Sequence, residues 1–153
     1  MKSLNKENLI ISCKTNIIIK KLAIKYSNIY LKDFLHHKKV LFIIDSFFKN
    51  KVNKLNYIKK SFEFFPDKSM FFNDYFEPNF QNLENIKKNF IDKKFDLIIG
   101  IGGGSTLDIS KGLSVVLKYH NKANNLQGVD KFNFEPIPVI CIPSIFGSGA
   151  EVT

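Results

Sequence analysis

The stretch Gly100 to Gly112, GIGGGSTLDISKG, sets five glycines and a cluster of hydroxyl side chains around one aspartate, directly after the apolar run FDLII. A strand ending in these glycines and running into a helix near Ser105 turns backbone N–H groups and the positive helix end toward open space. That arrangement takes an anion such as a pyrophosphate, because glycine removes the Cβ that would hold the ligand away. Ser105 and Asp108 have the spacing of a capping box, which fixes a helix start. The same residues also suit a plain strand-to-helix turn that holds nothing. A second cluster, IPSIFGSGAEVT from Ile142 to Thr153, follows the next apolar run. Two such loops at neighbouring strand ends would border one crevice, the place where open α/β sheets bind ligands.

The elements that must position these loops are apolar runs alternating with helical periods. KKVLFIID (Lys38 to Asp45), KKFDLIIGI (Lys93 to Ile101) and PIPVICIP (Pro136 to Pro143) predict strands covered on both faces, as in a parallel sheet. Leu22, Tyr26, Ile29, Tyr30 and Phe34 fall on one helical face; Phe80, Leu83, Ile86 and Phe90 form a second; Ile109, Leu113, Val116 and Leu117 a third. Strand alternating with helix predicts an α/β fold with right-handed crossovers. SFEFFPDKSMFFNDYF (Ser61 to Phe76) is expected to hold one or two short strands broken at Pro66 and Asp67, and the polar stretch His120 to Pro136 a surface loop.

Composition narrows the function. The 153 residues, 44% hydrophobic, suit one globular domain. A net charge of +9 invites a nucleic-acid partner, yet all 23 basic residues are Lys. The bidentate reader of guanine, Arg, is missing, so no nucleic-acid partner is expected. Cys13 and Cys141 have no metal or redox spacing and are expected as buried thiols. No run reaches the roughly 20 apolar residues that span a bilayer, and the N-terminal apolar stretch is too short for a signal peptide. A cytoplasmic protein without a membrane partner is the expectation. His36, His37 and His120 form no metal constellation, Lys111 reads as solvated or phosphate-directed, and Glu151 is a carboxylate that could act as a base.

DLIIGIGGGSTLDISK (Asp96 to Lys111) and IPSIFGSGAEVT together resemble the glycine-rich elements of the iron-containing, or group III, alcohol dehydrogenases. VLFIID resembles that family's strand with a terminal ribose-binding Asp, and FEPNFQNLENIKK (Phe76 to Lys88) its P-N-P segment. The resemblance implies a Rossmann-like parallel sheet flanked by helices, similar to the N-terminal domain of dehydroquinate synthase. Residues 1–153 would form its NAD(P)-binding domain. Gly102, Gly103, Gly104 and Ser105 would hold the cofactor, the last three at the pyrophosphate. Asp45 would accept from the adenosine ribose, Asn79 would line the adenosine side, and Asp108 would lie at the cleft. Ser144, Ile145, Ser148 and Thr153 would stand beside the dinucleotide. Ile145 replaces a hydroxyl residue of the family pattern and Phe146 a small one.

The implied activity is hydride transfer between an alcohol or aldehyde and nicotinamide, with NAD or NADP as cofactor and a homodimer as the full-length form. In the family, Fe2+ or Zn2+ is held by one Asp and three His of a downstream helical domain. The chain is expected to be truncated before that domain, an inactive nucleotide-binding portion with no catalytic or metal residue of its own. A dehydroquinate-synthase-like lyase domain and a non-catalytic dinucleotide-binding fragment remain the alternatives, the hydroxyl-rich second loop favouring the dehydrogenase. The acid Asp45 favours NAD over NADP, since the extra phosphate would meet like charge.

Overall fold

The computed structural model describes residues 15–19, 21–35, 39–62, 68–75, 77–119, 122–126, 134–145, 147 and 149–151. Four parallel strands form one sheet in the order β2-β1-β3-β4. They are β1 (Val40–Asp45), β2 (Lys68–Asn73), β3 (Leu97–Gly102) and β4 (Val139–Pro143). The three apolar runs are therefore strands, each beginning later than the sequence pattern suggests. Lys39, Lys93, Lys94 and Pro136 precede the strands, while Pro138 O still accepts from Ile98 N at 2.9 Å. Backbone and side chain of Asp96 both engage Lys39, at 2.9 Å each, and fasten the start of β3 to that of β1. β2 supplies the strand expected within 61–76; residues 63–67 lie outside the described set.

Alternation along the two central strands splits the core in two. Leu41, Ile43 and Ile98 face one side, where Leu83 and Ile86 of α4 (Phe80–Lys87), Phe90, and Ile109, Leu113, Val116 and Leu117 of α5 (Gly104–Tyr119) cover them. Phe42, Ile44, Leu97, Ile99 and Ile101 face the other, under Leu35, Phe48, Phe62 and Ile58 of α3 (Val52–Ser61). Burial of both faces is why these strands read as unbroken apolar runs.

Two helical expectations change. The 22–34 stretch is no single helix: it breaks into a 3-10 turn (Ala23–Tyr26), α1 (Ser27–Tyr30) and α2 (Lys32–Leu35). Leu22, at φ 58°, Tyr26 and Ile29 are exposed, because the break at Leu31 rotates Ile24, Leu31 and Leu35 toward the core instead. Buried Ser27 anchors the segment, its Oγ lying 2.8 Å from Ser61 O at the end of α3. The side chain of Phe34 falls outside the described set. α3 itself has no counterpart among the sequence-predicted elements, since VNKLNYIKKS buries only Ile58 and Ser61. Within the expected 120–136 loop, Ala123–Leu126 forms a 3-10 turn.

Candidate functional site

The strand order places the switch in winding direction between β1 and β3. β1 leads outward to β2 on one side, and β3 leads outward to β4 on the other. Loops diverge at such a point and leave a crevice at the carboxyl ends of the strands. There Asp45 ends β1, Gly102 ends β3 and Pro143 ends β4, with Gly102 and Pro143 paired in register. Ser144 N donates to Gly102 O at 2.8 Å, so the second glycine loop starts against the first. Ile145 leans over Gly103, its Cδ1 3.6 Å from where a Cβ on that residue would lie, while remaining largely exposed.

The bare backbone has two separate causes. Gly100 and Gly102 point toward α5, and a Cβ on them would lie 2.9 Å from Ser110 Cβ and 2.7 Å from Asp45 Cβ respectively. No Cβ fits there, so these two glycines let the helix lie directly on the strand. Gly103 is different: a Cβ there would make only ordinary contacts, 3.6 Å from Ile145 Cδ1 and 3.9 Å from Asp45 Oδ2, and the residue is half-exposed. α5 begins at Gly104, one residue before the sequence pattern suggests, and Gly103 O accepts from Thr106 N at 3.0 Å and Leu107 N at 3.1 Å. Ser105 therefore sits in the first turn rather than capping it, and Asp108 pairs with Lys111 at 2.8 Å. The amides of Gly104 and Ser105, being in the first turn, have no acceptor within the helix and bear its positive end.

Asp45 faces this loop. Its Oδ1 accepts from Phe47 N at 2.9 Å, and its Oδ2 lies 3.5 Å from both Gly103 N and Thr106 Oγ1. Thr106 in turn accepts from Nδ2 of buried Asn73 at 3.1 Å. Neither Asn73 nor Thr106 was legible as a site residue, for their link to Asp45 exists only once β2, β1 and α5 are assembled. The one hint is Asn ending an apolar strand, opposite Asp45 in register.

Asp45, Gly102, Gly103, Gly104, Ser105, Ser144 and Ile145 are thus gathered at one edge. Asp108 lies one turn along α5, partly exposed. Asn79 is exposed and caps α4, its Oδ1 accepting from Asn82 N at 2.9 Å. Ser148 and Thr153 lie outside the described residues, as do Cys13, His36, His37 and His120. Cys141 is half-buried rather than buried, because β4 has no strand on its outer side among the described residues. Burial pushes its thiol above the ordinary range; Lys111 pulls it back, and Asp108 and Glu151 push it further up. A separate groove of about 250 Å³, lined by Phe80, Gln81, Glu84, Lys122 and Asn124, contains none of the strand-end residues. Among the described residues no helix is long and apolar enough to cross a membrane, and no three His, Cys, Asp or Glu side chains converge to hold a metal.

The family model for iron-containing alcohol dehydrogenase matches residues 14–153. Long-chain-alcohol dehydrogenase 1 of Geobacillus thermodenitrificans is 46% identical over 66 residues, covering 40% of this chain and 16% of that protein. The crystal structure of an iron-containing alcohol dehydrogenase superposes with a TM-score of 0.77 at 28% identity, over 94% of this chain and 40% of the other. Sulfoacetaldehyde reductase from Bifidobacterium kashiwanohense, solved in complex with NAD+, shares the fold with a TM-score of 0.76 at 19% identity, over 93% of this chain and 37% of its own. This chain therefore spans well under half the length of these relatives. With the glycine loops, the strand-end acid and the parallel sheet in the order that family carries them, the chain belongs to the iron-containing alcohol dehydrogenases.

Proposed function

We propose that this chain is the NAD(P)-binding unit of a metal-dependent alcohol dehydrogenase, with NAD the preferred cofactor and a small alcohol or aldehyde the substrate of the whole enzyme. One observation carries the proposal: Asp45 and the half-exposed backbone of Gly103 meet at the switch point of the sheet, a hydroxyl acceptor beside the start of a helix. A dinucleotide needs both within one cleft. The Gly103, Gly104 and Ser105 backbone would take the pyrophosphate, Asp45 a ribose hydroxyl, and Ser144 and Ile145 would line the wall across from Asp45. Asn79 and Asp108 would flank the cleft at the starts of α4 and α5, and Ser148 and Thr153 would continue the second loop. When bound, the cofactor supplies or accepts the hydride; these residues bind and orient it.

The metal used by this family acts as a Lewis acid on the alcohol oxygen. The described residues offer no donor set that fits it. Lyase chemistry is less favoured, because the relatives carry dehydrogenase and reductase names.

Titration calorimetry at moderate salt tests the proposal. NAD should bind saturably and duplex DNA should not, since an electrostatic partner of a basic chain weakens steeply as salt rises. Binding of DNA without NAD would overturn this assignment.

A further inference from the structure

Asn73 and Thr106 are 4% and 1% exposed and come from different elements, β2 and α5. A buried polar pair costs free energy unless its hydrogen bonds are made, and an apolar pair would fill the same space. Here the bonds have a fixed direction. Asn73 Oδ1 accepts from Tyr75 N at 3.1 Å, which leaves Nδ2 to donate to Tyr75 O at 3.0 Å and to Thr106 Oγ1 at 3.1 Å. A hydroxyl carries a single proton. Thr106 Oγ1 receives the Asn73 proton and so keeps its own to donate, and Asp45 Oδ2 lies 3.5 Å away, a long contact that bound cofactor would tighten.

We infer that Asn73 and Thr106 are positioning residues that set the rotation of the Asp45 carboxylate and thereby the preference for NAD over NADP. The inference rests on Asp45 being the ribose ligand. Phe47 N–H holds Oδ1, while the Thr106 hydroxyl and Gly103 N–H hold Oδ2. Without the Thr106 hydroxyl, Oδ2 keeps only the equally long contact to Gly103, and the carboxylate is freer to turn about its bond to Cβ. The ribose hydrogen bond and the repulsion of a ribose phosphate both depend on that rotation. A phosphate bound at the glycine loop would compete for Gly103 N–H, which makes the Thr106 proton the more persistent hold on Oδ2.

Calorimetric titration of the 153-residue chain with NAD and with NADP, for the unsubstituted protein, Thr106→Val and Thr106→Ser, tests this. The unsubstituted chain should prefer NAD, Thr106→Val should narrow that preference about tenfold, and Thr106→Ser should restore it. Should circular dichroism show Thr106→Val unfolded, Thr106→Ala removes the same hydroxyl without the added branch and reads the same ratio. Equal weakening of both cofactors, with the ratio unchanged, marks a merely structural role and overturns the inference while leaving the cofactor site standing. No NAD preference in the unsubstituted chain overturns the Asp45 assignment, and the inference with it.

Discussion

Asp45 ties the first 3-10 turn after β1 to the glycine loop and α5, so small changes around it have large effects. Gly102→Ala would drive a Cβ to within 2.7 Å of Asp45 Cβ and 2.9 Å of Thr106 Cβ. It should cost about 1–3 kcal/mol of stability through overpacking, read as a lowered urea midpoint; an unchanged midpoint would mean that α5 does not lie on β3 as closely as described. The raised Cys141 thiol gives a pH test. Its folded value lies above its unfolded one, so its contribution to stability is full below the ordinary thiol range and is lost as pH rises through the raised folded value. Iodoacetamide at about pH 8 should therefore label the Cys141 peptide more slowly in the folded chain than in urea. Equal rates would argue against the buried environment. Most of this site was legible in the sequence, because glycines beside a hydroxyl and an acid closing an apolar run are local patterns. Asn73 and Thr106 were not legible, since hydrogen bonds between three elements leave no spacing to read.

At the scale of elements, legibility followed burial. β1 and β3 are buried on both faces and showed as apolar runs, whereas α3 buries little and its Lys- and Asn-rich sequence gave no strong period. The break at Leu31 was hidden for a related reason: the helical period of 22–34 is real in sequence, but tertiary contacts through Ser27 and Leu35 select a different face. α3 is nevertheless joined to the sheet at its end. Phe62, 1% exposed, meets Phe42 of β1 edge to face, with ring centroids 5.4 Å apart. Phe62→Ala should cost about 3–5 kcal/mol in denaturant unfolding, the cost of a cavity plus lost transfer energy. A loss below about 1 kcal/mol would show that α3 contributes little to holding this face of the sheet.

For the molecule as a whole, topology turns separate motifs into one site. The order β2-β1-β3-β4 brings Asp45 beside Gly103 although 58 positions separate them, and the register of β4 on β3 brings Ser144 against Gly102. This carboxyl edge, rather than the groove at Phe80, Glu84 and Lys122, is the proposed seat of the dinucleotide. Amide chemical shifts of the nitrogen-labelled chain, followed while NAD is added, test it most directly. The largest changes are expected at Phe47, Gly103, Gly104, Ser105 and Ser144; changes confined to the Phe80–Lys122 groove, or none at the glycine loop at saturating NAD, would contradict a dinucleotide at this edge.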